Sequence, residues 1–494
     1  MSQEIVRISL KPTLTQRRPL IVTLFLLALL SMPAPLPAGQ AGPTQSGAAP
    51  DEEHAPPDGP FYPGAPKSSS RLQAPVGDYI LRVYGTLLLN VSMNGTAQVG
   101  QEVPLWPLPG NVNVTFPDGT TRRAGLVGDT IFTARQSILG IQVSPKSPGN
   151  GWNASGLAEV DFFGSRPTDP TLQPQDRVFN QPRLRRAYLQ LDKGDWRLVA
   201  GQDKMILAPL DPISLSHVAV PLGASAGNLW AWLPQVRVEN RHKFGGTTLL
   251  VQGGILRPSF GDPRLGDQNG LINVATGAAT GAAVDNFSGF GERARQPFYQ
   301  ARVALSHPWA GRTATVGVSG HYGRERVGAD RDVDSSAAAV DVTLPIVKYL
   351  IFRGEVYRGT NLVPFDGGVI QGVAFVAPVV SSTGVITTPA QIRKIGDMGG
   401  WAELISPVTS KDILYAGAGT DDPRDHNLLP GTSRSKNSFV WASYFRKLGP
   451  DVTAAVEWSF WDFRTRTFTS GGTLGPRATS GRGNVVNIAL AYQF

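Results

Sequence analysis

The 494-residue chain contains no cysteine. That excludes disulfides, thiolate metal ligands, cysteine nucleophiles and lipid attachment through an N-terminal cysteine. Histidine is scarce: His54, His217, His242, His307, His321 and His426 are all there are. They show neither a His-x-x-x-His spacing nor a carboxylate cluster at ligand spacing, so no metal site and no cofactor are expected. Beyond Leu30 no uninterrupted apolar run reaches helix-spanning length, which argues against helical transmembrane architecture. A strong charge of one sign is missing too. The formal charge is +8, from 46 Lys and Arg against 38 Asp and Glu; residues 1–41 hold four of the basic residues and one acidic, which leaves 42 against 37. So small and dispersed an excess gives no reason to expect a nucleic-acid partner.

Glycine (56) and proline (40) are plentiful, which favours many short strands and loops over helix bundles. The chain opens with Lys11, Arg17 and Arg18, followed by the apolar run Leu20 to Leu30 and the small residues PAGQAG from Pro37 to Gly42. This is the order of a secretory signal peptide, assigned to residues 1–41, with a signal anchor as the alternative. Residues 42–78 are rich in Pro, Gly, Ser and Ala without period and are expected to form a disordered periplasmic leader. Residues 79–494 then read as an all-β unit.

The stretch YILRVYGTLLLNVSMN, from Tyr79 to Asn94, alternates with period two. Fifteen further strands follow at 131–144, 155–164, 183–192, 196–203, 234–244, 247–257, 298–307, 312–324, 336–345, 348–358, 398–406, 412–420, 437–447, 451–463 and 484–494. Most have the ~9–11 residues that a tilted strand needs to cross a bilayer. Link lengths alternate along the chain. Tight turns such as Lys193-Gly194-Asp195 and Gly245-Gly246 fall at one end of the sheet, and long loops rich in Gly, Asp, Ser and Pro fall at the other. That asymmetry predicts a transmembrane antiparallel up-and-down β-barrel with periplasmic turns and extracellular loops. Val112 to Leu126 and Val369 to Pro389 read as extracellular hairpins turning at PDGT and SSTG; were one in the wall, the count would be eighteen rather than sixteen, and twenty with both.

A spanning sheet must pair all its backbone groups, so without helices it has to close. The last strand, GRGNVVNIALAYQF, places Val486, Ile488, Leu490, Tyr492 and Phe494 on one face. It is expected to seam to the first strand, and its terminal Tyr492 and Phe494 resemble the signal read by barrel-assembly machinery. Charges on the other strand faces should meet water, because each would cost ~2–4 kcal/mol on lipid at the midplane. Trp196, Trp309 and Trp441 lie near strand ends and read as interfacial girdle residues.

The segments FTARQSILGIQVS (132–144), GLAEVDFFG (156–164), PRLRRAYLQLDKGDWRLVAGQDKMILAPLDP (182–212) and AGNLWAWLPQVRVE (226–239) resemble the DcaP-like trimeric porins of Gram-negative outer membranes. The likeness covers roughly residues 130–260 and is architectural beyond them. It implies a 16-stranded barrel, a homotrimer, a third extracellular loop folded inward, here residues 204–233, and passage of small anionic solutes. The family's N-terminal periplasmic helix has no counterpart in the proline-rich residues 42–75.

Pore selectivity needs only fixed charges at a wet constriction. Candidates on the basic side are Arg186, Arg197, Arg237, Arg241 and Lys243, joined by Arg302 and Arg353 from other strands. Glu239, Glu355, Asp203 and Asp211 supply negative charge. The expected function is a non-enzymatic outer-membrane porin passing small hydrophilic solutes and favouring small anions such as carboxylates. The alternatives are a non-transporting barrel that serves as surface anchor or adhesin, and an outer-membrane hydrolase. Ser319 and His321 share a strand face, but their Ser-x-His order reverses that of outer-membrane phospholipases, and the face points to the lumen.

Overall fold

The computed structural model describes residues 72–494 apart from 101, 165–180, 261–288, 328–330, 377–378, 389–390, 431–432, 470–473 and 478–480. The signal peptide and nearly all of the leader lie outside the described residues.

Sixteen antiparallel strands form the wall. They are β1 (Tyr79–Asn94), β2 in two pieces (Asp129–Thr133 and Ile138–Pro145), β3 (Asn153–Gly164), β4 (Gln181–Lys193), β5 (Trp196–Lys204), β6 (Trp232–Phe244), β7 (Thr247–Leu256) and β8 (Phe298–Trp309). The second half comprises β9 (Arg312–Arg326), β10 (Asp332–Val347), β11 (Leu350–Thr360), β12 (Gly396–Pro407), β13 (Asp412–Asp421), β14 (Arg434–Lys447), β15 (Val452–Phe468) and β16 (Gly481–Gln493). Each pairs with its sequence neighbours, and β16 returns to β1 in the register Thr86↔Gln493 to Asn94↔Val485. The ring is closed, so no wall strand is left with an open edge. The sequence-derived strands therefore match the wall one for one.

The seam reaches Phe494. Gly85 and Phe494 exchange two backbone hydrogen bonds of 3.1 Å. A Cβ on Gly85 would sit 2.8 Å from the Phe494 ring, so the glycine supplies the seat for the terminal aromatic. Leu87, Leu89, Ile488, Leu490 and Tyr492 point outward and are exposed, whereas Leu88, Asn90, Ala489 and Ala491 are buried inside. The same two-sided pattern runs around the wall, with Val236, Val303, Leu305, Val316, Val318, Val356 and Leu404 exposed on the outer face. Among the described residues no helix is long and apolar enough to cross a membrane.

Three details differ from the sequence reading. The leader does not run unstructured to residue 78, because Gln73–Val76 folds back on Tyr79–Arg82 as a hairpin. The second strand is broken at 134–137, where Gln136 turns inward to bind a loop described below. Trp441 is no girdle residue: it is 2% exposed and stacks on Phe439 inside the barrel, while Trp196 and Trp309 are exposed as expected. The two loop hairpins stay out of the wall, as separate two-stranded pairings of Asn113–Thr115 with Thr121–Arg123 and of Val379–Val380 with Ile386–Thr388. Their turns fall where PDGT and SSTG place them.

Candidate pore and its constriction

Residues 205–231, between β5 and β6, lie almost wholly buried in the barrel. A backbone segment that leaves the surface must find partners for its amides, and here wall side chains provide them. Ile206 and Leu207 donate to Gln300 Oε1 on β8, at 2.8 and 3.0 Å. Ala208 donates to Ser319 on β9, Leu210 to Glu355 on β11 and Ile213 to Glu403 on β12. His217 Nδ1 lies 3.0 Å from Glu457 on β15, and Val218 and Ala219 donate to Gln136 between the two pieces of β2. Arg185 of β4 then donates to Val218 O at 2.9 Å. The loop thus travels around the lumen, pinned strand by strand to inward polar side chains.

Its apolar side chains fill the β8–β16 side. Leu210, Leu222 and Ala226 pack on Trp401, Phe439, Trp441, Trp461 and Val485, and Leu207 and Leu229 pack with Phe298 and Phe365. The return path passes so close to the wall that a Cβ on Gly227 would lie 2.2 Å from Gly400 O, and its φ of +110° is one only glycine adopts at ease. A second inward segment, 361–372, clasps the first: Trp230 donates to Phe365 O, and Arg434 donates to Val369 O and Ile370 O. Its half-buried Asp366 loses enough hydration that its carboxyl is pushed up to about 7.

A cleft with a cavity volume of about 120 Å3 remains between the inserted loop and β3 to β7. Arg185, Arg186, Arg197, Arg237, Arg241 and Lys204 line it, against Glu159, Asp203, Asp211 and Glu239: six cationic side chains and four carboxylates. The charges interlock. Asp203 lies between Arg186 (2.8 Å) and Arg237 (3.0 Å), and Glu239 between Arg237 (2.7 Å) and Arg241 (3.2 Å). Arg185 pairs with Glu159 (2.7 Å), Arg197 with Asp192 (2.7 Å), and Lys204 reaches across to Asp211 on the loop. Paired arginines hold fixed geometry without losing their charge, which keeps a positive ladder beside a mixed loop.

Of the residues singled out from sequence, Arg186, Arg197, Arg237, Glu239, Arg241, Asp203 and Asp211 meet in this cleft. Arg302, Arg353 and Glu355 do not. Arg302 is buried against Asp341 (2.8 Å), Arg353 against Glu403 (2.8 Å), and Glu355 under the Leu210 amide, all on the filled side. Lys243 is exposed at the turn end of β6, below the cleft. Ser319 and His321 face the lumen beneath the loop, where Ser319 accepts Ala208 N–H and His321 contacts Ser335 at 3.1 Å.

Sequence reasoning missed Arg185. Strict alternation sends it outward, but the β3–β4 register slips between Leu184 and Arg186, so both arginines turn to the lumen. The adjacent run RLRR was the only available hint.

A closed sixteen-stranded wall around a lumen narrowed by an infolded loop is the architecture of outer-membrane diffusion channels. No protein-family model matches the chain, and no curated protein does. Among solved structures it is similar to the outer-membrane channel DcaP of Acinetobacter baumannii, with a TM-score of 0.55 and 15% identity over 85% of this chain and 99% of that one. It is also similar to an anion-selective porin from Comamonas acidovorans, at a TM-score of 0.48 and 13% identity over 84% and 100%. The DcaP likeness is one of fold, and it agrees with the resemblance carried by residues 130–260.

Proposed function

We propose that the protein is an outer-membrane porin through which small hydrophilic solutes diffuse along the β3–β7 cleft, with a modest preference for anions. The observation that carries this reading is the surplus of two positive charges among the ten charged side chains that line this cleft. Field lines in a low-dielectric tube concentrate on such a surplus, raising local anion concentration. Interleaved carboxylates keep the preference modest. Small carboxylates and phosphate-like anions are the class that a guanidinium ladder serves best, because each rung offers paired donors. A homotrimer, export by the signal peptide and insertion by barrel-assembly machinery through Tyr492 and Phe494 belong to the same proposal. A surface anchor or adhesin would have no use for a charged internal cleft.

The test is reconstitution of purified protein in planar bilayers under a KCl gradient, with liposome swelling in matched anionic, neutral and cationic solutes. Channel steps with an anion-signed reversal potential are expected. Cation preference would end the anion reading, and absence of conductance would end the porin reading.

A further inference from the structure

The outer face of β14 to β16 carries charge where a barrel wall should be apolar or neutral. Up to Val440, Trp458 and Ile488 the face is exposed and hydrophobic. Trp458 Nε1 then donates to Asn484 at 3.1 Å, which marks the change to polar surroundings. One step further toward the loop end, Lys436, Asp462, Arg464 and Arg482 project outward, since their chain neighbours Ser435, Asn437, Trp461 and Phe463 are buried inside.

Two cations face each other across the strand pair there: Lys436 is the direct cross-strand partner of Arg464. Arg466 and Arg477 repeat the arrangement beyond it. Like charges directly opposite destabilise a sheet, and the wall offers too few counter-charges. Asp462 is shared by Arg464 (2.9 Å) and Arg482 (3.6 Å). Asp422 is shared by Lys436 and Arg477, both at 3.2 Å, and Asp425 by Arg466 and Arg477. Five cations therefore meet three carboxylates on a surface continuous with the lipid-facing band. Nothing in the pore uses them, because they stand outside the wall.

We infer that this belt is a binding site for a phosphate-bearing lipid headgroup of the outer leaflet, with Lys436, Arg464 and Arg482 on three adjacent strands as its principal donors. The inference rests on the outer-membrane placement proposed above. A phosphate seated between Lys436 and Arg464 replaces their mutual repulsion with two charge-assisted bonds, while the apolar band below accommodates acyl chains. Clustered Lys and Arg at a membrane interface attract anionic headgroups in this way.

The experiment uses the purified full chain in detergent, titrated with lipid A carrying both phosphates, with dephosphorylated lipid A, and with phosphatidylethanolamine, and read by native mass spectrometry. Retention of phosphorylated lipid A at least tenfold above the other two is expected. It should fall at least tenfold in Lys436→Gln/Arg464→Gln/Arg482→Gln and stay unchanged in Lys348→Gln/Lys411→Gln at the turn end. Equal retention of phosphorylated and dephosphorylated lipid A by the unaltered protein would overturn the inference, as would full retention by the triple variant. Should the triple variant fail to fold, the phosphate contrast on the unaltered chain still decides. Conductance of the unaltered chain, measured separately, tests the porin reading and is untouched by either result.

Discussion

Arg237 sits at the centre of the cleft ladder, bonded to both Asp203 and Glu239. Replacing it with Gln removes one of six cleft cations and lowers the surplus from two to one. Neither carboxylate is stranded: Asp203 keeps Arg186 at 2.8 Å, and Glu239 keeps Arg241 at 3.2 Å and Gln252 at 3.0 Å. The barrel should fold normally. A permeating ion passing ~7 Å from the guanidinium exchanges about 0.6 kcal/mol with it at the dielectric of water. That is one RT unit, with opposite signs for chloride and potassium. Physiological salt screens part of it, which leaves roughly a threefold fall in the anion-to-cation permeability ratio. Arg237→Glu leaves five cations against five carboxylates and should bring the cleft to neutrality, abolishing the preference. The assay is the zero-current potential under a tenfold KCl gradient. An Arg237→Glu channel with the unaltered protein's potential would refute the reasoning, because the path would then run elsewhere.

Glu403→Gln removes the charge paired with the buried Arg353 and leaves one amide oxygen where Arg353 and Ile213 N–H used two carboxylate oxygens; a loss of ~3–5 kcal/mol should show as a lower temperature for the folded-to-unfolded gel shift. Gly227→Val forces a side chain into Gly400 O, so the inserted loop should lift from the wall, and single-channel conductance should rise rather than fall. Asp366 has a carboxyl raised to about 7, so its contribution to the 361–372 clasp is complete below about pH 4 and is lost as pH climbs to 7. Hydrogen exchange at Phe365 to Gly368, corrected for intrinsic rate, should be faster at pH 8 than at pH 5, and Asp366→Asn should abolish the difference. Deleting Phe494 empties the seat at Gly85 and should slow refolding into detergent without altering the conductance of the barrels that form.

The wall was legible in the sequence because period-two alternation and alternating link lengths are local signals, and both survive closure intact. Turn chemistry at PDGT and SSTG marked the two hairpins, while their exclusion from the wall is seen only in the pairings. The lumen was less legible. Alternation says that a side chain points inward but not whether water or the inserted loop meets it there. Trp441, Phe439 and Trp461 point inward like the arginines, yet they stack under Leu210 and Leu222. Arg302 and Arg353 share their strand faces with pore-like charges, but the loop's circuit of the barrel turns them into buried anchors. Arg185 was hidden by a one-residue slip that no periodic pattern records.

The central claim is that the inserted loop fills the β8–β16 side of the lumen and leaves an open path beside β3 to β7. Because the chain contains no cysteine, single cysteines report on this without background. Gln190→Cys lines the cleft, and Ser459→Cys lies on the filled side beside Trp461. A charged methanethiosulfonate reagent added to open channels should label Gln190→Cys within seconds and cut its current, while Ser459→Cys stays unlabelled at full current. Equal labelling of both positions, or of Ser459→Cys alone, would contradict the account.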